Sequence, residues 1–364
     1  MCLILIGCKS DTGKKGAAKE SESELALWSE FLASDDVKDK NIVFVSGDEE
    51  YRSEEALPQL AKILSERHDF DCTVLYAQDP EALGIVDPNY SSNIPGLEKL
   101  EEADLMILFT RFRALPEGQM KYIDDYLLAG KPVIGIRTAT HGFNFKDKEH
   151  PYAHYGYNYN GPKEDWKMGF GKKILGETWY THHGHHRHQS TRGIVSKASN
   201  THPILNGIGS VSIWGPTDVY GVREPIDGDA EILVRGQSID RAGEYDENDR
   251  NYGMRETDNT ISVNSKLRKE MPDFNPNATM PPIIWTKTYQ LENGKMGKSL
   301  TSTIGSSTDM LDEEVRRVFV NGVYYLLDLE VPEKSNVDFV GTYDPSAFAF
   351  HSDVYWEEKG LVIR

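Results

Sequence analysis

Five of the chain's eleven histidines, His182, His183, His185, His186 and His188, fall within seven positions of the stretch TWYTHHGHHRHQSTRG. Imidazole changes charge near neutral pH and is a common nitrogen ligand, so the cluster has three readings. It could hold a divalent metal such as zinc, with His183, His185 or His186 joined by His141 and by Asp218 or Glu49, because such sites combine three or four His and carboxylate ligands. It could supply acid/base or hydroxyl contacts without metal. It could also be a polar loop with no chemistry. No HExxH spacing occurs. In an extended run the period of two turns His182, His186 and His188 one way and His183 and His185 the other, while Gly184 bends the chain. His183, His185 and His186 are the expected contacts and His188 is set aside.

Those histidines need partners, and the pattern of elements says where to look. NIVFVSG is short, apolar throughout and rich in β-branched residues, as in a strand covered on both faces. SEEALPQLAKILSERH follows at helical spacing with a Ser53 cap, and Pro58 falls in its first turn or two. CTVLYA and ADLMILFT are further strands, LPEGQMKYIDDYLLAG a helix ending at Gly130, and KPVIGIRT a fourth strand. Alternating strands and helices predict right-handed β-α-β units in an α/β, doubly wound, mostly parallel sheet. Ligands of such sheets sit beyond the carboxyl ends of the strands. There the sequence offers Asp48, Glu49, Glu50 and Arg52 after the first strand, Arg111 and Arg113 after the third, and Arg137, Thr138, Thr140 and His141 after the fourth. Charges of both signs at one sheet edge predict a polar pocket.

The second half is less regular. Residues 142–192 form a Gly/Tyr/Asn-rich insertion whose rings can stack on sugar faces or pack on the core, and 237–282 is a charged excursion. VSIWGPTDVYGV and AEILVRG read as strands or a hairpin, and regular structure returns with PIIWTKTYQ and GKSLTSTIG. LDEEVRRVFVNGVYYLLDLE carries one apolar helical stripe through Val315, Val318, Phe319, Val323, Leu326 and Leu327. The expected organisation is a tether over 1–24, an α/β domain over 25–330 and a C-terminal surface tail over 331–364. His202, before Pro203, belongs to a turn, and His351 carries no expected role.

The formal charge of −18 includes no basic cluster, which excludes a phosphate-backbone face and favours small neutral or polar ligands. A homo-oligomer is left open. The three cysteines give no disulfide framework and no CxxC pair, and Cys72 in DCTVLYA reads as a buried strand residue. No run reaches the roughly 18 apolar residues of a membrane span. Leu5-Ile6-Gly7-Cys8 resembles a bacterial lipobox whose cysteine, Cys8, would be acylated, with KSDTGKKGAAKESESE as a polar tether. That implies a lipid-anchored protein of the periplasm or outer membrane, the membrane being met only through the anchor. The alternative is a frayed cytoplasmic N-terminus.

SGDEEYR, GIRTATHGF, THHGHH, HPILNGI, GPTDVYGV and PIIWTKTY followed by TSTIGSSTDML together, over about residues 41–330, resemble the trehalose-utilisation (ThuA-like) family. The resemblance implies a class I glutamine amidotransferase-like, flavodoxin-like fold and a role in carbohydrate utilisation, on a glycoside or an oxidised (keto) sugar. Amidotransferases of that superfamily carry G-x-C-x-G after a core strand. The matching stretch here is Gly135-Ile136-Arg137-Thr138-Ala139, so Arg137 stands where a nucleophilic thiol would. A guanidinium cannot attack a carbonyl, and glutamine hydrolysis by that route is excluded. Arg137 would instead offer planar donors to a ligand or close the turn against the carboxylates of DEEYR. Asp218 and Tyr220 resemble the family's acidic-x-Tyr element, Asp218 orienting a histidine or accepting sugar hydroxyls. The readings left standing are a sugar-processing enzyme, a non-catalytic sugar-binding lipoprotein and a metal-dependent hydrolase, with no cofactor certain and zinc possible.

Overall fold

The computed structural model describes residues 26–33, 38–263 and 273–364, so Cys8 and the expected tether lie outside the described residues. After the edge strand β1 (Trp28–Phe31), β2 (Asn41–Gly47) is apolar along its length because both of its faces are covered. Ile42 and Phe44 face one hydrophobic core and Val43 and Val45 the other, as the two-residue period of a strand requires. The first core lies against α1 (Ser53–His68) and α3 (Glu313–Leu326), the second against α2 (Glu117–Leu128).

The helix over 53–68 starts differently from expectation. Arg52, at φ 59°, precedes it, and Ser53 is its first residue. The Ser53 hydroxyl is used by Ser46 Oγ at 2.8 Å and the Asp48 amide at 3.1 Å, which ties the helix to the end of β2 rather than capping it.

β3 (Asp71–Tyr76), β4 (Leu105–Thr110) and β5 (Val133–Ile136) complete the first half. The second half contributes β6 (Gln189–Val195), β7 (Ile213–Gly215), β8 (Glu231–Asp240), β9 (Thr260–Ile261), β10 (Pro282–Gln290) and β11 (Met296–Ser302). All join one 11-stranded sheet in the order β1-β3-β2-β4-β5-β11-β10-β8-β6-β7, with β9 paired to β8.

The sheet is mixed, not mostly parallel: four strand pairings are parallel and six antiparallel among the described residues. The physical reason is the tight connection from Gln290 to Met296, directly opposed in register, since so short a link can join only antiparallel neighbours. From β10 outward every further pairing is antiparallel. The polar loops that matter leave the carboxyl ends of β2, β4 and β5, which lie side by side.

Residues 331–364 contain one short helix, α4 (Asp353–Lys359), and wrap back across the domain. Val337, Phe348, Trp356 and Ile363 are buried there, so the segment goes beyond lying on the surface.

Candidate functional site

β5 ends in a sharp turn. Arg137, at φ 41°, sits in the left-handed region that a side chain rarely adopts, and the single helical turn Arg137–His141 begins there. The Arg137 guanidinium is fully buried between the rings of Tyr51 and Tyr220, each 4.1 Å away. It donates to Thr303 O at 2.7 Å and to Asp218 Oδ1 at 3.3 Å. The expected offer of its donors to a ligand does not fit these surroundings, and its carboxylate partner is Asp218 rather than the DEEYR segment. Arg137 fixes Asp218 from behind.

The histidine loop is laid against Asp218 by backbone pairing. His182 bridges Tyr220, and the amides of His183 and Gly184 donate to Val219 O at 2.8 and 3.0 Å. A Cβ on Gly184 would meet Asp218 Cβ and Val219 N at 3.2 Å, so glycine allows this close approach. After Gly184 a turn closes from His185 O to the amides of His188 and Gln189. His182 and His186 therefore face the same carboxylate. His182 Nδ1 donates to Asp218 Oδ2 at 2.8 Å and His186 Nδ1 to Oδ1 at 3.2 Å. His186 Nε2 reaches Glu50 Oε1 at 3.3 Å.

These contacts set the charge states. Burial works to raise the Asp218 carboxyl, but His182, His186 and Arg137 overcome it and hold the group well below the ordinary carboxylate range. Burial works to lower His186, and its bonds to Asp218 and Glu50 reverse that, raising it above the usual imidazole value. Glu50, against its burial, is lowered by His186 and Arg111. His141 is pushed well down by burial and then by Arg111 and His182, so it is neutral. Burial raises the Tyr220 phenol, which stays protonated as a donor.

Glu50, His141, His182, His186 and Tyr220 line a cleft of about 370 Å³. Trp179 and Phe350 supply apolar walls, and Arg111 and Arg187 complete the lining. Phe350 is 53% exposed although it is apolar, and the Arg111 guanidinium stacks on it at 4.8 Å. It is held there because Ala349 N donates to Glu50 O at 2.9 Å while Arg52 donates to Ala349 O at 2.8 Å. The neighbouring Phe348 is buried against Tyr51 and His186.

Of the residues singled out from sequence, Glu50, Arg111, His141, His186 and Tyr220 meet in this cleft, with Asp218 directly behind. Asp48, Arg52, Arg113 and Thr138 are buried and occupied by protein partners. Asp48 accepts from Glu50 N and from the Tyr51 amide and Thr138 hydroxyl. Arg52 lies over Trp356 at 4.5 Å, and Arg113 donates to Pro88 O and Tyr90 O, each at 3.0 Å. Glu49 is clasped by Arg111 and Arg113 and opens toward a separate cavity.

His183 and His185 turn away from the cleft. His183 Nε2 donates to Pro276 O, and His185 stacks on His188 at 4.1 Å, its imidazole lowered to about 4 by burial and by His188. The expected metal set built on them is not assembled. His182, which was not among the contacts expected from sequence, takes their place, and its only sequence signal was the period of two that groups it with His186.

His182, His186 and Asp218 bring their ligand-type atoms within 4.8 Å of one another and could hold a metal ion. The donor types suit zinc, but both Asp218 oxygens already accept from imidazole N–H groups and one faces Arg137 as well. A metal would have to displace those protons.

No protein-family model and no curated protein matches the chain. It is similar to a solved structure described as ThuA-like from Bacteroides uniformis, at 13% identity and TM-score 0.45 over 79% of this chain and 91% of that one. A second ThuA-like structure, from Parabacteroides merdae, is 12% identical with TM-score 0.45 over 85% of this chain and 97% of that one. A cytoplasmic protein from Salmonella typhimurium is 12% identical with TM-score 0.37 over 78% and 98%. No residue's role is carried over from them.

Proposed function

We propose that the cleft is an active site for general acid/base chemistry on a small saccharide, a glycoside or an oxidised (keto) sugar, with His182 as the base. One observation carries this reading: Asp218 takes the Nδ1 proton of His182 at 2.8 Å inside an aromatic-walled cleft. A histidine whose Nδ1–H is fixed on a carboxylate keeps Nε2 free to accept a proton, and among the described residues that nitrogen has no hydrogen-bond partner. His186, held between Glu50 and Asp218, keeps a proton in reserve beside it. Neutral His141 and the Tyr220 phenol supply hydroxyl contacts, while Trp179 and Phe350 supply faces for the C–H side of a sugar ring. Arg137, in the place of a nucleophilic thiol, leaves no covalent amidotransferase route.

The ThuA-like resemblance of the sequence supports the substrate class. The parallel strands run β3-β2-β4-β5-β11, which supports a flavodoxin-like reading of that half of the sheet. Turnover of 3-keto-disaccharides and of their parent glycosides by wild type, His182→Ala and His186→Ala tests the proposal. Turnover lost in His182→Ala is the expected result. Binding without turnover in the wild type would replace it with a sugar-binding protein.

A second reading, a metal-dependent hydrolase, is favoured by the closeness of His182, His186 and Asp218. It uses the same three residues, and stoichiometric metal in untagged protein would select it.

A further inference from the structure

Among the described residues, one cation of the cleft has no counter-charge. Arg111 is taken up by Glu49 and Glu50, Arg113 by Glu49, Arg137 by Asp218, and His186 by Glu50 and Asp218. Arg187 lines the same cleft yet makes no ion pair and donates no side-chain hydrogen bond among the described residues. Its Nε is buried without a partner, although such groups are nearly always satisfied. The face of the Tyr252 ring supports the guanidinium at 5.1 Å. Its backbone is held at φ 63°, in the left-handed region, by the turn that delivers His186. Arg241 donates to the Arg187 carbonyl at 3.2 Å, so the main chain there is fixed while the head group is not engaged.

We propose that Arg187 anchors a carboxylate of the substrate, and that the cleft is built for an acidic saccharide, one bearing a uronate or aldonate carboxylate. A guanidinium presents paired donors that match the two oxygens of a carboxylate, and the stacked Tyr252 ring lowers the cost of leaving water. A neutral sugar would leave the charge and the buried Nε uncompensated. The overall charge of −18 makes the point sharper, because a net acidic surface repels such a ligand and the attraction has to be local. The substrate would thus reach from Arg187 to His182 across the cleft that both residues line.

This inference rests on the saccharide reading of the same cleft and deepens it. Calorimetric titration of the full protein with methyl glucuronide and methyl glucoside, in wild type, Arg187→Gln and Arg187→Lys, tests it. The glucuronide is expected to bind at least about tenfold more tightly than the glucoside in wild type. That preference should vanish in Arg187→Gln, return in part in Arg187→Lys, and weaken with added salt. Circular dichroism and melting of Arg187→Gln should match wild type, showing that the change is in recognition. Equal binding of both sugars by wild type, or a preference that survives in Arg187→Gln, overturns the role of Arg187 and leaves the saccharide reading standing. Binding of neither sugar overturns both.

Discussion

Asp218 Oδ2 accepts the Nδ1 proton of His182 at 2.8 Å, and the carboxylate is fully buried while the imidazole side chain keeps 35% of its surface. The two partners therefore have different parts to play, one structural and chemical, the other mainly chemical.

His182→Ala should abolish turnover and cost about 1–3 kcal/mol of stability, because it leaves Asp218 Oδ2 buried without its donor. Asp218→Ala should lose turnover and also unfold more easily by about 3–5 kcal/mol, because it leaves Arg137 buried without its counter-charge. Parallel melting curves and kinetics separate the two. Equal destabilisation by both substitutions would contradict this division.

His186 is raised above its ordinary value of 6.5 by Asp218 and Glu50 against the opposing effect of burial. A raised histidine contributes stability that is complete below the unfolded value and fades as pH climbs through the folded one. The melting temperature of wild type minus that of His186→Ala should accordingly be largest below about pH 6.5 and shrink toward pH 8. A difference that is flat with pH would show that the imidazolium is not what those carboxylates hold.

Glu54 is driven by burial from 4.5 to about 7, its neighbour Arg52 offsetting only part of the cost. A raised carboxyl stabilises the fold below its unfolded value and loses that contribution as pH rises through about 7. Glu54→Gln should match wild type near pH 4 and be more stable above pH 8, by up to about 3 kcal/mol for a shift of this size. Denaturant melts across that range give the answer, and a penalty for Glu54→Gln at pH 8 would contradict it.

Phe350→Ala should weaken saccharide binding roughly two- to tenfold, the scale of a lost aromatic contact. Because the ring is exposed, the melting temperature should not move. Phe350→Trp should keep the affinity, whereas Phe350→Leu should not, if the flat face is what binds.

Untagged protein analysed for metals should carry far less than one equivalent of zinc, and added zinc should inhibit by competing with the protons on His182 and His186. Stoichiometric zinc that restores activity after chelation would move the assignment to the metal-dependent reading.

Much of the first half was legible. β2, β4 and β5 and the helix over 53–68 follow from apolar runs and helical spacing, and their ends correctly place Glu50, Arg111 and His141 at one sheet edge. The antiparallel half was not legible, because pairing between β8 and β10 or β6 depends on contacts remote in sequence. Within the site, charge alone could not separate Arg137, used up by Asp218, from Arg187, which is left over. His182 and His183 are adjacent and chemically identical. Only the bridge to Tyr220 and the close approach at Gly184 decide which one meets Asp218, and neither has a local sequence signature. Phe350 is brought to the cleft by a backbone bond to Glu50, which no periodicity foretells.

The Arg52 to Ala349 hydrogen bond spans 297 positions. Such a contact cannot form until nearly all of the intervening chain has left the ribosome, and closing so long a loop comes late in folding. The sheet and its buried Asp218 can be in place while the mouth of the cleft still lacks Phe350. Phe350 is thus synthesised after every strand of the sheet, and the wall it gives the cleft can be added only once the C-terminal segment has been made.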